Sequence, residues 1–340
     1  MTRPARVISL LPAATELVCA LGARDSLVAI SHECDFPDDV ALLPRVTASE
    51  VDRNASSASI DAAVRMLSSS GRPVFALDAA DVVRLAPTVI LTQALCDVCA
   101  VSDGDVRDIA TLVSPAPEII SLGGTTLDDI WEDFATVGVA IGRADEATDL
   151  LVTIAQRLEA VHHTLKAARA PRPRVAVIEW LDPLFVAGHW TPELVHRAGG
   201  IDVLAEVGAH SVQVPIELVR AAKPDVLLFA PCGFDVVRAE REARVLLATS
   251  EWSWARGCEA WAMDGNALTS RPGPRLADAV EVIASIFAPA LFAPPLPVHA
   301  RKLSPRYAEN QIRADTSTRN TANTRRAVVG LSVSPTRAPK

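Results

Sequence analysis

Apolar positions fall in short runs separated by helical stripes, and the alternation repeats. Residues 7–11 (Val-Ile-Ser-Leu-Leu) form an aliphatic run that stops at Pro12, the pattern of a buried strand entering a turn. Thr15 then opens a helix whose apolar face carries Leu17, Val18 and Leu21, and Gly22 ends it. A second strand is predicted over 27–30. The second half runs through the same order. Residues 174–178 (Arg-Val-Ala-Val-Ile) predict a strand, and a longer loop reaches His189. Thr191-Pro192-Glu193 supply an N-cap, a first-turn proline and a first-turn acid for a helix over 194–198, which stops at Gly199-Gly200.

A closer match pairs residues 82–91 with 218–228. Each is a helix end, a proline that stops it (Pro87, Pro224) and an aliphatic strand. Each strand runs on towards a cysteine, Cys96 or Cys232. Helix–proline–strand is a common α/β phrase, but the order of elements matches too, so the chain reads as a duplication: an α/β fold of two lobes facing each other. Between the halves, Leu150, Leu151, Ile154, Leu158, Val161 and Leu165 recur at helical spacing with no Gly or Pro among them. A helix over 144–168 would be roughly 37 Å long. It is either a stiff spine joining the lobes or an ordinary surface helix. A further amphipathic helix is predicted over 276–287. The expected division is a first lobe over 1–143, a spine over 144–170, a second lobe over 171–292 and a basic tail over 293–340, without structure from about residue 297.

Composition agrees with buried parallel strands under helices. Apolar residues make up 49% and aromatics only 4%, so the core must be aliphatic. Residues 300–340 hold nine Lys/Arg against two Asp/Glu, which leaves the rest of the chain at −15 within a net charge of −8. An acidic body argues against a nucleic acid partner. No apolar run reaches the roughly 18 residues of a membrane span. Near the N-terminus, Pro12, Thr15 and Glu16 break the apolar run in a way a signal peptide tolerates poorly. That run is therefore read as a strand, and a cytoplasmic location is expected, with a periplasmic or cell-surface one as the alternative. A monomer is expected.

In open α/β sheets ligands bind beyond the carboxyl ends of the strands, so the loops after strands are the place to search. Loop one is Ser31-His32-Glu33-Cys34-Asp35. Loop two runs from Gln93 to Cys99 and holds Cys96. Loop three runs from Glu179 through Trp180 to His189 and Trp190. Loop four is residues 230–235, with Cys232 and Phe234. Cys34, Cys96, Cys99 and Cys232 with His32 and His189 form a thiolate–imidazole set that would suit a zinc or iron ion. A buried cysteine can equally be a small hydrophobe. Trp180, Phe185, Trp190 and Phe234 crowd loops three and four. They would either face a flat ligand or pack between lobes. Arg271 and Arg275, in Ser-Arg-Pro-Gly-Pro-Arg, would meet an acidic ligand group or cap surface carboxylates. No Gly-x-Ser-x-Gly elbow, His-Glu-x-x-His or Gly-rich phosphate loop is present, so an enzyme is not expected. A metal-binding enzyme or metallochaperone built on the Cys/His set is the alternative.

The opening Arg-Val-Ile-Ser-Leu-Leu-Pro-Ala-Ala-Thr-Glu-Leu and the later Leu-Gly-Ala-Arg-Asp-Ser-Leu-Val-Ala-Ile-Ser-His-Glu-Cys-Asp-Phe-Pro resemble the cobalamin and iron-siderophore branch of ABC-transporter substrate-binding proteins. Leu-Cys-Asp-Val-Cys-Ala, Gly-His-Trp-Thr-Pro-Glu-Leu-Val and Ala-Pro-Cys-Gly-Phe-Asp resemble its cobalamin-binding subgroup. The resemblance covers about residues 5–292. It implies two Rossmann-like lobes, a backbone helix, small hinge motion and a corrinoid or other metal chelate held in the cleft. It also implies an ABC permease as partner, with Glu16 and Glu193 as the acids, one per lobe, that dock on it.

Overall fold

Parallel strands leave both sheet faces apolar and need helices on each. The computed structural model, which describes residues 5–93, 101 and 103–303, shows this arrangement twice. The first lobe runs β1 (Val7–Ser9), α1 (Pro12–Ala20), β2 (Leu27–Ile30), β3 (Thr47–Ser49), α2 (Ser57–Ser69), β4 (Phe75–Leu77), α3 (Ala79–Leu85), β5 (Val89–Gln93), α4 (Asp103–Ala110), β6 (Glu118–Leu122) and α5 (Leu127–Ala140). Its four-stranded sheet is parallel, in the order β2-β1-β5-β6. The spine is α6 (Ala144–Ala167).

The second lobe runs β7 (Arg174–Leu181), β8 (Leu184–Val186), α7 (Thr191–Arg197), β9 (Ile201–Asp202), β10 (Val212–Gln213), α8 (Ile216–Ala221), β11 (Val226–Phe229), α9 (Val236–Leu247), β12 (Glu259–Met263), α10 (Gly265–Leu268), α11 (Leu276–Phe287) and β13 (Ala300–Lys302). Its sheet has the order β10-β8-β7-β11-β12-β13, with β9 also paired to β7.

The duplication extends to the caps. The residues before Pro87 and Pro224, Ala86 and Lys223, both take left-handed backbone, at φ 44° and 47°. An arginine entering the neighbouring strand then binds the carbonyls of each helix end. Arg6 donates from Nη2 to the Leu85 carbonyl at 2.6 Å, and Arg174 from Nη2 to the Ala222 carbonyl at 2.7 Å. A helix end leaves carbonyls without internal partners, and a cation suits the negative end of the helix dipole.

Some boundaries differ from the sequence reading. Pro12 starts α1 rather than ending a turn, because a proline at the first helical position lacks only a hydrogen the helix does not use. Part of loop three is strand: β7 continues to Leu181 and pairs with β8 as a hairpin. Residues 300–302 are not structureless. They add to the open edge of β12 as β13, and Leu303 is buried beside them. The rest of the tail, from residue 304, lies outside the described residues.

One hydrophobic cluster runs through both lobes, from Val7, Leu17 and Phe134 through Ile154 and Leu158 of α6 to Val195 and Ile283. Separate clusters cover the outer face of each sheet. Arg157 of α6 donates to Asp278 at 2.5 Å and Glu281 at 2.6 Å on α11, fixing the spine to the second lobe. α6 is therefore a spine rather than a detached surface helix. A continuous apolar interface also resists independent lobe motion.

Candidate ligand-binding site

The loops after β2, β11 and β12 meet between the lobes around Arg271, which is buried. Its Nη1 donates to Glu16 Oε1 at 2.8 Å and to Asp35 Oδ1 at 2.6 Å, and its Nη2 donates to Asn266 Oδ1 at 2.8 Å. Arg275 grips the same Glu16 from Nε at 2.7 Å and lies over the Phe36 ring at 4.4 Å. Two arginines of the second lobe thus hold two acids of the first. Burial disfavours a charged Asp35, but Arg271, then Asn266 and Arg275, outweigh it and hold its carboxyl below the usual range. Glu33 lies beside them, and burial raises its carboxyl above the usual range.

This arrangement corrects two expectations. Glu16 is sealed beneath the arginines, with a side chain 2% exposed, and is not presented to a permease. Glu193 is also turned inward: its carboxylate accepts from the Leu127 amide of the other lobe at 3.0 Å and pairs with Arg197. Acids thus cross in both directions, Glu16 and Asp35 from the first lobe and Glu193 from the second. Arg271 is likewise occupied by protein carboxylates rather than open to a ligand.

Among the described residues, the members of the Cys/His set do not come together. Cys34 is fully buried, 3.0 Å from Thr15 Oγ1, and Thr15 spends its own proton on Ser9 Oγ. The thiol is therefore the donor, and burial pushes its pKa up to about 11. His32 is pinned by Thr47, with Nδ1 2.7 Å from Thr47 Oγ1, and burial, then Arg45 and Arg53, lower its pKa. Cys232 is exposed on loop four. Gln93 ends β5 at the lip of loop two, whose Cys96 and Cys99 lie outside the described residues. Among the described residues, no group of three or more His, Cys, Asp or Glu is placed to hold a metal ion.

The aromatic residues pack instead of standing open. Trp190 is buried, with Nε1 donating to the Thr269 carbonyl at 2.8 Å. Phe234 is 2% exposed, 5.3 Å from Trp180 by ring centroid, and Arg238 stacks over its ring. Arg238 also donates to the Arg53 and Ala55 carbonyls of the first lobe, and Ile60 of α2 packs on the Trp180 cluster. The segment from Arg53 into α2 thus covers this wall, and the indole Nε1 of Trp180 is buried without a hydrogen-bond partner among the described residues. Sequence reasoning missed Arg238, Asn266 and His210. His189 has strained backbone at φ 52°, with Nε2 3.1 Å from His210 Nδ1. Burial, then the neighbouring His210, lower its pKa. The conspicuous Gly-His-Trp run was a signal for His189; nothing local pointed to its partner 21 residues on.

Two duplicated α/β lobes, joined by a spine and meeting at strand-end loops, define a two-lobed small-molecule binding protein. The sequence profile of the family described as "Periplasmic binding protein" matches residues 7–253, and the chain belongs to that family, the substrate-binding components of ABC importers. It is a binding protein and not an enzyme. A curated relative is the "Vitamin B12-binding protein" of Vibrio cholerae serotype O1, 24% identical over 279 residues, covering 82% of this chain and 87% of the relative. A periplasmic heme binding protein from Pseudomonas aeruginosa has a similar solved structure, with TM-score 0.68, 19% identity and coverage of 89% of this chain and 99% of that one. The periplasmic vitamin B12 binding protein of Vibrio cholerae follows the same fold, with TM-score 0.60, 23% identity and coverage of 84% and 98%.

These findings overturn the cytoplasmic expectation, since the family and its relatives are periplasmic binding proteins. The interrupted apolar run that suggested it is β1 and α1 of the first lobe and carries no information about export. Among the described residues, no helix is long and apolar enough to cross a membrane.

Proposed function

We propose that the protein captures a corrinoid of the cobalamin type between its lobes and hands it to an ABC permease. The observation that carries this reading is the match to a vitamin B12-binding protein through both lobes and the spine, 82% of the chain, rather than through one α/β unit. Ligand entry would displace the cover formed by the segment from Arg53 into α2, and would give the buried Trp180 indole a partner. Titration with cyanocobalamin, cobinamide and heme, followed by ligand absorbance and tryptophan fluorescence, tests the proposal. One equivalent of corrinoid bound more tightly than heme is expected. If no corrinoid binds below millimolar concentration, the reading is wrong.

Heme is the second reading. The His189–His210 pair favours it, because imidazole is the donor that an iron macrocycle with an open axial position takes, and burial lowers the His189 pKa towards that form. A heme Soret shift lost in His189→Ala, with no corrinoid binding, would select it.

A further inference from the structure

We propose that a groove along the spine helix is a second ligand site, distinct from the cleft, for a small amphiphilic anion: an apolar body bearing a carboxylate or phosphate group. The groove encloses about 990 Å³ between α5, α6, α7 and the chain leading into β7. That is at the upper end of the roughly 300–1,000 Å³ common for ligand pockets. No residue of the four cleft loops lines it. Trp131 of α5 with Leu151, Leu158 and Leu165 of α6 provide an apolar floor.

The charge at one end points to the ligand's head group. Lys166, Arg169 and Arg172 line the groove where α6 ends. None of the three has an ion pair among the described residues. Arg172 is held in place, its Nη2 2.9 Å from the Gly200 carbonyl and 3.1 Å from His196 Nδ1. Elsewhere Arg157, Arg238 and Arg271 each rest on carboxylates. The helix dipole accounts for Lys166 in the last turn, but Arg169 and Arg172 lie past the end of the helix.

Asp128, Glu159 and Glu193 also line the groove. Glu193 is engaged by Leu127 and Arg197. Glu159 precedes Lys166 by two helical turns, about 10 Å. The apolar floor and the cationic end together fit a ligand that is apolar along its length and anionic at its tip. Because α5 belongs to the first lobe and α7 to the second, an occupant would bridge the two.

The test is calorimetric titration of the full chain with dodecanoate. One saturable site per chain is expected, with acetate binding at least about tenfold more weakly because it lacks the apolar body. Lys166 and Arg169 are exposed, so the double variant Lys166→Glu/Arg169→Glu retains the fold, checked by its thermal melt. A loss of about tenfold or more in dodecanoate affinity is expected in it, the scale of charge-assisted hydrogen bonds. Cys232→Ser, in the cleft, leaves the affinity unchanged. No saturable binding below millimolar, a smaller loss in the double variant, an equal affinity for acetate, or a loss in Cys232→Ser would each overturn the proposal.

Discussion

Arg271 is the side chain on which the inter-lobe contact turns. It is 6% exposed and neutralises Glu16, which is 2% exposed, so removing it strands a buried carboxylate on Arg275 alone. Arg271→Ala is expected to lower stability by about 3 kcal/mol in urea unfolding, and Arg271→Met with Glu16→Gln by less than the single change, because the deeply buried Glu16 position then carries no charge. Asp202 behaves in the opposite sense. Its Oδ1 caps the Leu204 and Ala205 amides, while Oδ2 is buried without a hydrogen-bond partner among the described residues. Burial raises its pKa to about 6, against an ordinary value of 3.8. The folded state therefore holds a proton that the unfolded chain releases, and stability from this group falls as pH rises through that interval. Asp202→Asn keeps the cap and removes the charge. Thermal melts should show it more stable than the parent at pH 8 and equal to it near pH 4. Cys34, buried and protonated, should resist iodoacetamide in the native protein while exposed Cys232 labels, as read by mass spectrometry.

Elements are set by short-range rules, and the duplication lets the same rule be tested twice. Ala86 and Lys223 hold left-handed backbone that glycine adopts without penalty. Ala86→Gly and Lys223→Gly should each stabilise by about 0.5–1 kcal/mol, and the effects should add, since the sites share no partner. A gain at only one would mean that the two caps differ despite their matching hydrogen bonds. Along α6, Ile154 faces the shared core while Val152 is 50% exposed. Ile154→Ala should cost about 2–4 kcal/mol and Val152→Ala under about 0.5, by denaturant midpoint.

At the scale of the molecule, two polar clusters cross between the lobes in addition to the Glu193–Leu127 contact. One is the Arg271–Glu16–Asp35 cluster; the other is Arg238 with the Arg53 and Ala55 carbonyls and Glu242 with Ser57. Arg238→Ala should loosen the segment from Arg53 into α2 and wet the wall beneath it. A red-shifted tryptophan emission and faster amide exchange over residues 53–69 would report this. Unchanged exchange there would mean that α2 is held by its apolar face alone.

Strands, helix ends and the doubling of the chain were legible in the sequence because they rest on neighbours within a few positions: an aliphatic run, a capping residue, a proline. The ends of α11 and β2 could be read to the residue for that reason. The family could be read too, since its motifs are local strings. What the sequence could not determine were pairings across great chain distance. Glu16 meets Arg271 over a separation of 255 residues, and Arg238 reaches Ala55 over 183. Those contacts exist only because the two lobes dock on one spine and share one apolar core. Docking also decided that the aromatic wall is covered. Local patterning dictates which face of an element is apolar; only the assembled lobes determine what that face, and the charges around it, come to touch.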